Sequence, residues 1–183
     1  ASPRSTGAYS GAEATRSVSS IPNLRKTLLP KEDAIVTIAE LHAQNHRITE
    51  LSNVFLYLIQ DRPMCDTECA RNVFFDYSSK VKEHIEIVDH ELCGKLITHP
   101  DQDVRNTAKR FLSGSSEIKR IFSDYLKDWC SGAGKDLAIR DHDAFIADTD
   151  QMFSLVLDRI QRETEHLYPL IRNLGTAEAA VEA

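Results

Sequence analysis

The amino-acid sequence predicts an all-α fold, an antiparallel four-helix bundle. Apolar residues recur at three- and four-residue steps over long stretches, the mark of amphipathic helices. Those stretches are rich in Leu, Ile, Glu, Lys, Arg and Ala, and only seven Gly and six Pro interrupt 183 residues, which favours helix over strand. The connections between stretches are short, so consecutive helices must run antiparallel.

The first helix is predicted from about Glu32 to Gln60, with Ile35, Ile38, Leu41, Leu51, Phe55 and Leu58 on its apolar face and Pro63 just beyond. The second begins at Asp66 or Thr67, both good N-caps. It carries Phe74, Tyr77, Val81, Ile85, Val88 and Leu92 on one stripe, and His99-Pro100-Asp101 ends it. The third starts between Asp101 and Asp103 and reaches Trp129, and its Ser113-Gly114-Ser115-Ser116 stretch predicts a kink or break. A loop at Ser131-Gly132-Ala133-Gly134 leads to the fourth, from about Ile139 to Asn173, with Gly175 as its C-cap. Residues 1–30, rich in Ser, Ala, Gly and Thr, read as a flexible arm whose Ile21 to Leu29 part has apolar residues for docking. The domain is then 31–174, and 175–183 form a frayed tail.

Composition narrows the function. With 42% hydrophobic and 27% charged residues, the chain can bury one independent core. A formal charge of -6 without a clustered basic surface argues against nucleic acid as a partner. No apolar run is long enough to span a bilayer and no apolar leader opens the chain, so no membrane association and a cytoplasmic location are expected. Cys65, Cys69, Cys93 and Cys130 are too few and too scattered for a disulfide framework. Phosphate loops, nucleophile elbows and zinc-finger spacings are all missing, and no acid/base pair can be placed on a pocket, so an enzyme is not expected.

Several polar residues fall where chemistry could arise. In LHAQNHRITEL, His42, His46 and Glu50 follow at i, i+4 and i+8; imidazoles so spaced can share a metal ion, and a solvated face gives the same spacing. His84 flanks the Val81, Ile85, Val88 stripe and needs an interior partner. His90 falls on the opposite side, and Asp89 and Glu91 lie to either side of the stripe. Glu163 sits among Met152, Val156, Ile160 and Leu167, where a carboxylate is costly unless it is paired or metal-bound. Arg159, Arg162 or His84 can pair it in a buried polar cluster. Cys65 and Cys69, four apart at the start of the second helix, are a candidate redox pair because a helix N-terminus lowers a thiol pKa. His142 starts the fourth helix and could close a site at that end.

These segments resemble the hemerythrin-like HHE family, cation-binding bundles with an H-R-x-I stretch in the first helix and two H-I/L-x-x-E-x-x-x-L-Y/F-P segments. The chain has His46-Arg47-Ile48, then His84-Ile85-Glu86-Ile87-Val88-Asp89 with Leu92, and Arg159-Ile160-Gln161-Arg162-Glu163 with Leu167-Tyr168-Pro169-Leu170. The resemblance spans roughly residues 32–173. It implies a non-haem metal, iron or another divalent ion, held by His46, His84 and Glu163, with His42, Asp89 and Glu91 as substitutes. Two departures stand out: Val88 replaces the expected Glu of the second helix, and Arg159 replaces the expected His of the fourth. The third helix has no histidine. Two functions follow as alternatives. One is a regulatory or sensing domain that binds iron in its core. The other is a metal-free helical signalling module that meets a protein partner and keeps a buried Arg159, Glu163, His84 cluster where the diiron site would be.

Overall fold

A computed structural model describes residues 36–131 and 136–181, with side chains described as far as 175. The predicted arm at 1–30 and the first residues assigned to the first helix lie outside the described residues, as do 132–135 and 182–183.

The fold is all-α apart from one small ladder. Helix α1 (Ile38–Leu58) opens on a reciprocal cap, in which Thr37 Oγ1 accepts from the Glu40 amide and the Glu40 carboxylate accepts from the Thr37 amide. One turn, α2 (Arg62–Cys65), takes Pro63 into its start, where a missing N–H costs nothing. Helix α3 (Glu68–Ile87) has Thr67 as N-cap, as the sequence predicts. It continues through a wide π turn, π1 (Val88–Cys93), into α4 (Gly94–Leu96). Helix α5 (Gln102–Trp129) is capped by Asp101. Strands β1 (Cys130–Ser131) and β2 (Asp136–Leu137) pair antiparallel, Cys130 opposite Leu137, across the predicted loop. Helix α6 (His142–Arg162), capped by Asp141, passes through a second π turn, π2 (Glu163–Leu167), into α7 (Tyr168–Val181).

Two predictions fail here for physical reasons. Helix α5 runs unbroken through Ser113 to Ser116: the Ser115 hydroxyl is drawn to Asp89 and that of Ser116 rests on the Leu112 carbonyl one turn back, so neither offers the backbone amides an alternative to the helix. Gly175 does not end the last helix, which continues into the Ala-rich sequence to Val181. The π turn before Pro169 has a clear cause. Proline lacks the amide hydrogen and its ring crowds the carbonyl four residues earlier, and a wider turn relieves both.

The interior divides in two. The larger core is aromatic: Phe55 lies 5.2 Å from Phe74 by ring centroids and 5.7 Å from Phe153, and Tyr77 stacks on Phe153 at 4.0 Å. The smaller core joins Leu41 of α1, Val88 and Cys93 of π1, Val104 and Ala108 of α5, and Leu167 of π2. Buried polar side chains occur near the changeover from one core to the other along each long helix. They include Asn45 on α1, His84 on α3, Ser115 on α5, and Arg159 with Glu163 at the α6–π2 junction. Among the described residues no helix is long and apolar enough to cross a membrane.

Candidate functional site

Each helix brings its polar residue inward because that residue occupies a position of the apolar stripe. On α6 the stripe runs Met152, Val156, Arg159, Ile160 and into Glu163, so Arg159 and Glu163 sit one turn apart on the buried face. Glu163 is 0% exposed and His84 is 2% exposed. An unpaired carboxylate at that depth would cost several kcal/mol, of order ~5, so its partners decide whether the fold is possible.

Both carboxylate oxygens are used. Glu163 Oε1 accepts from Arg159 Nε, and Oε2 lies 2.8 Å from His84 Nε2. The other ring nitrogen, Nδ1, is 2.9 Å from the Gln44 side-chain oxygen. That oxygen only accepts, so Nδ1 is the donor there, and the ring bridges Gln44 and Glu163. Arg159 extends the network to α5. Its Nη1 donates to the Phe111 carbonyl at 2.7 Å and its Nη2 to Ser115 Oγ at 2.9 Å, while the guanidinium lies 4.8 Å from the centre of the Phe111 ring. Ser115 in turn donates to Asp89 Oδ1 at 2.6 Å, and Lys119 donates to Asp89 Oδ2 at 2.7 Å. A continuous chain of polar contacts thus crosses the molecule from Gln44 to Lys119.

Gly114 is part of this arrangement. A Cβ at that position would stand 3.2 Å from Arg159 Nη1, closer than ordinary packing allows. The glycine that reads as a helix breaker instead makes room for a guanidinium.

The predicted residues divide accordingly. His84, Glu163 and Arg159 meet as the predicted buried cluster, and Asp89 joins it through Ser115. His46 does not. It is on the surface, its side chain 76% exposed and 3.3 Å from Glu50. His42 is exposed, with its ring edge-on to Tyr168 at 5.2 Å, and Glu91 faces Lys95 at 3.4 Å. His142 donates from Nε2 to the Ile59 carbonyl at 2.7 Å, tying the start of α6 to the end of α1. Cys65 and Cys69 are both free thiols. Cys65 is buried, which raises its pKa, the opposite of the predicted activation.

The sequence gives no sign of the part Gln44 plays, and it presents Gly114 and Ser115 only as a helix break and Tyr168 only as part of the Leu167-Tyr168-Pro169-Leu170 segment. Tyr168 accepts from Asn45 Nδ2 at 3.1 Å, and burial together with the nearby Glu163 charge holds its hydroxyl well above the usual phenol range. Burial, reinforced by the charges of Asp89 and Glu163 and offset in part by Arg159, pushes the Cys93 thiol up to about 12.

These contacts bear on the metal that the sequence suggests. Each candidate ligand in the centre already has hydrogen-bond partners, and a fixed positive charge sits on the Glu163 carboxylate. A dication within ~4 Å of that guanidinium would meet roughly 8 kcal/mol of repulsion at an effective dielectric near ~20. The residues present therefore do not fit a divalent ion. Among the described residues no three His, Cys, Asp or Glu side chains gather closely enough to hold one. Comparison with family models, curated proteins and solved structures finds no match.

Proposed function

We propose that the chain is a metal-free helical interaction module with a regulatory or signalling role, built as an antiparallel four-helix bundle of the hemerythrin-like kind. A polar cluster of Arg159, Glu163 and His84 takes the central place. The observation that carries this reading is Arg159 Nε on Glu163 Oε1, which puts an arginine on the carboxylate that a metal would need. Support for a protein partner comes from the surface. Tyr57 is 80% exposed and Val54, one turn before it, is 48% exposed, and exposed aromatics of this kind are enriched where proteins meet. The formal charge of -6 favours partners with basic surfaces.

Metal analysis of protein purified without a histidine tag, together with melting in the presence of a chelator, tests the reading. The expected result is less than about a tenth of an equivalent of iron, manganese or zinc, and an unchanged melting temperature. A full equivalent of iron, or a large fall in melting temperature on chelation, would overturn it in favour of a metal-binding sensor domain.

A further inference from the structure

We propose that the groove between α5 and α6 seats an amphipathic helix of a partner protein, with a basic side chain at one end of the groove and an apolar one at the other. The proposal rests on the interaction-module reading above and adds the surface and the chemistry of the partner. Three contacts set the frame. Trp129 Nε1 donates to Asp148 Oδ2 at 3.1 Å, the Tyr125 hydroxyl lies 2.7 Å from Thr149 Oγ1, and Arg159 Nη2 donates to Ser115 Oγ at 2.9 Å. Rising numbers on α5 meet falling numbers on α6, so the two helices run antiparallel. The groove between them holds about 270 Å³. Buried Tyr125, Trp129 and Met152 form its floor, and half-buried Ile121 and Leu155 line the end away from Trp129.

The two ends differ in charge. Near Ile121 and Leu155, Arg120 is already engaged, with Glu117 at 2.7 Å and Asp124 at 3.3 Å, and Lys127 holds Asp124 at 2.9 Å. What that end offers a partner is apolar surface. At the Trp129 end, Asp128 and Asp148 both border the groove and are exposed, and neither forms an ion pair among the described residues. Asp148 accepts only the neutral indole N–H there. Two unneutralised carboxylates beside an apolar floor match a guanidinium or ammonium whose methylene stem lies along that floor. Ile121 and Asp128 are seven residues apart, ~10 Å along a helix, so the partner's apolar and basic anchors fall about two turns apart. The groove between α3 and α5 is a contrast: Lys82, Lys119 and Glu86 border it, so it selects neither sign of charge.

Trp129 is the single tryptophan of the chain, so its fluorescence and its indole N–H resonance report on this groove. The probe is a synthetic alanine-based helix of about 16 residues, with leucines at one end and arginines two turns on along the same face. Added to the full chain, it should shift both signals saturably at one-to-one stoichiometry. Asp128→Asn with Asp148→Asn should weaken binding about tenfold. Leu155→Ser, which leaves the charge unchanged, should weaken it about fivefold. Glu83→Gln with Glu91→Gln, outside the groove, should leave it unaltered. If the Asp148 change disturbs the fold, Asp128→Lys alone, at an exposed side chain, should give the tenfold loss. Four results would overturn the proposal: Trp129 signals that do not move, equal weakening by the Glu83 and Glu91 pair, equal binding of a peptide with glutamine for arginine, or spermidine acting as well as the peptide. The third would remove the basic anchor and the fourth would make the ligand a small polycation. Failure of the metal-free reading is separate, because it shows as metal in the unaltered protein and not in the Trp129 titration.

Discussion

The aromatic core and the polar layer next to it are built from the same helices, yet they hold together by different rules. Around Phe55, Phe74, Tyr77 and Phe153, rings fill space against regular α-helix, and contacts such as the 4.0 Å stack of Tyr77 on Phe153 need shape more than direction. At the layer of His84, Ser115, Arg159 and Glu163, each atom needs a partner at a set distance and angle. Both π turns occur at that level: π1 contains Asp89, and π2 begins with Glu163. Apolar packing tolerates the regular helix. Directional bonding is accompanied here by a change in backbone pitch.

The largest expected effects set these rules against each other. Phe153→Ala should cost about 3–5 kcal/mol in urea unfolding, since it empties a ring-shaped volume at the centre of the larger core. Glu163→Ala should cost a similar 3–5 kcal/mol or so, because Arg159 is left as a buried charge without its carboxylate. The two sites should part company when the whole cluster is replaced. His84→Leu, Arg159→Met and Glu163→Leu together should be within about 1 kcal/mol of the parent, or more stable. If the triple variant loses more than Glu163→Ala alone, the polar layer is a net source of stability and the contrast with the aromatic core disappears.

A smaller effect sharpens the same contrast at one position. Gly114→Ala should lose about 1–2 kcal/mol, because its Cβ crowds a guanidinium fixed by three partners. In an Arg159→Met background the sign should reverse to a gain of up to about 1 kcal/mol, the ordinary advantage of alanine inside a helix. Additive losses in the double variant would show that Gly114 serves something other than Arg159.

A further effect is confined to alkaline pH. Burial pushes the Cys93 thiol from the ordinary 9.0 up to about 12 in the fold. Between those values the unfolded chain gives up a proton that the folded chain keeps, so stability present below pH 9 falls as pH rises toward 12. Denaturation midpoints for Cys93→Ala should fall less steeply across that window, and equal slopes would remove Cys93 as a contributor.

Most of the helices were legible because caps and stripes agree: Thr67, Asp101 and the Val81, Ile85, Val88 face are where the pattern puts them. Glu163 was legible as well, since a carboxylate inside an apolar stripe demands a partner. The histidines of α1 misled because spacing was read without phase. Leu41, Ile48, Leu51 and Phe55 define the buried side, which points Gln44 and Asn45 inward and turns His42 and His46 outward. Ser113 to Ser116 misled for another reason: a glycine that admits a neighbouring side chain looks in sequence like one that breaks a helix. The π turns left no periodic trace, because one extra residue in a turn only shifts the stripe, and Pro169 was the sole local cue for the second.

The polar layer also bears on the order in which the chain can finish folding. Gln44 and His84 are 40 residues apart, His84 and Glu163 are 79 apart, and Asn45 and Tyr168 are 123 apart. Such closures are entropically costly and late. On the ribosome, where the N-terminal helices emerge first, His84 has only Gln44 for company until Glu163 and Tyr168 have been made. The layer closes when the last long helix arrives, so its completion marks a finished fold.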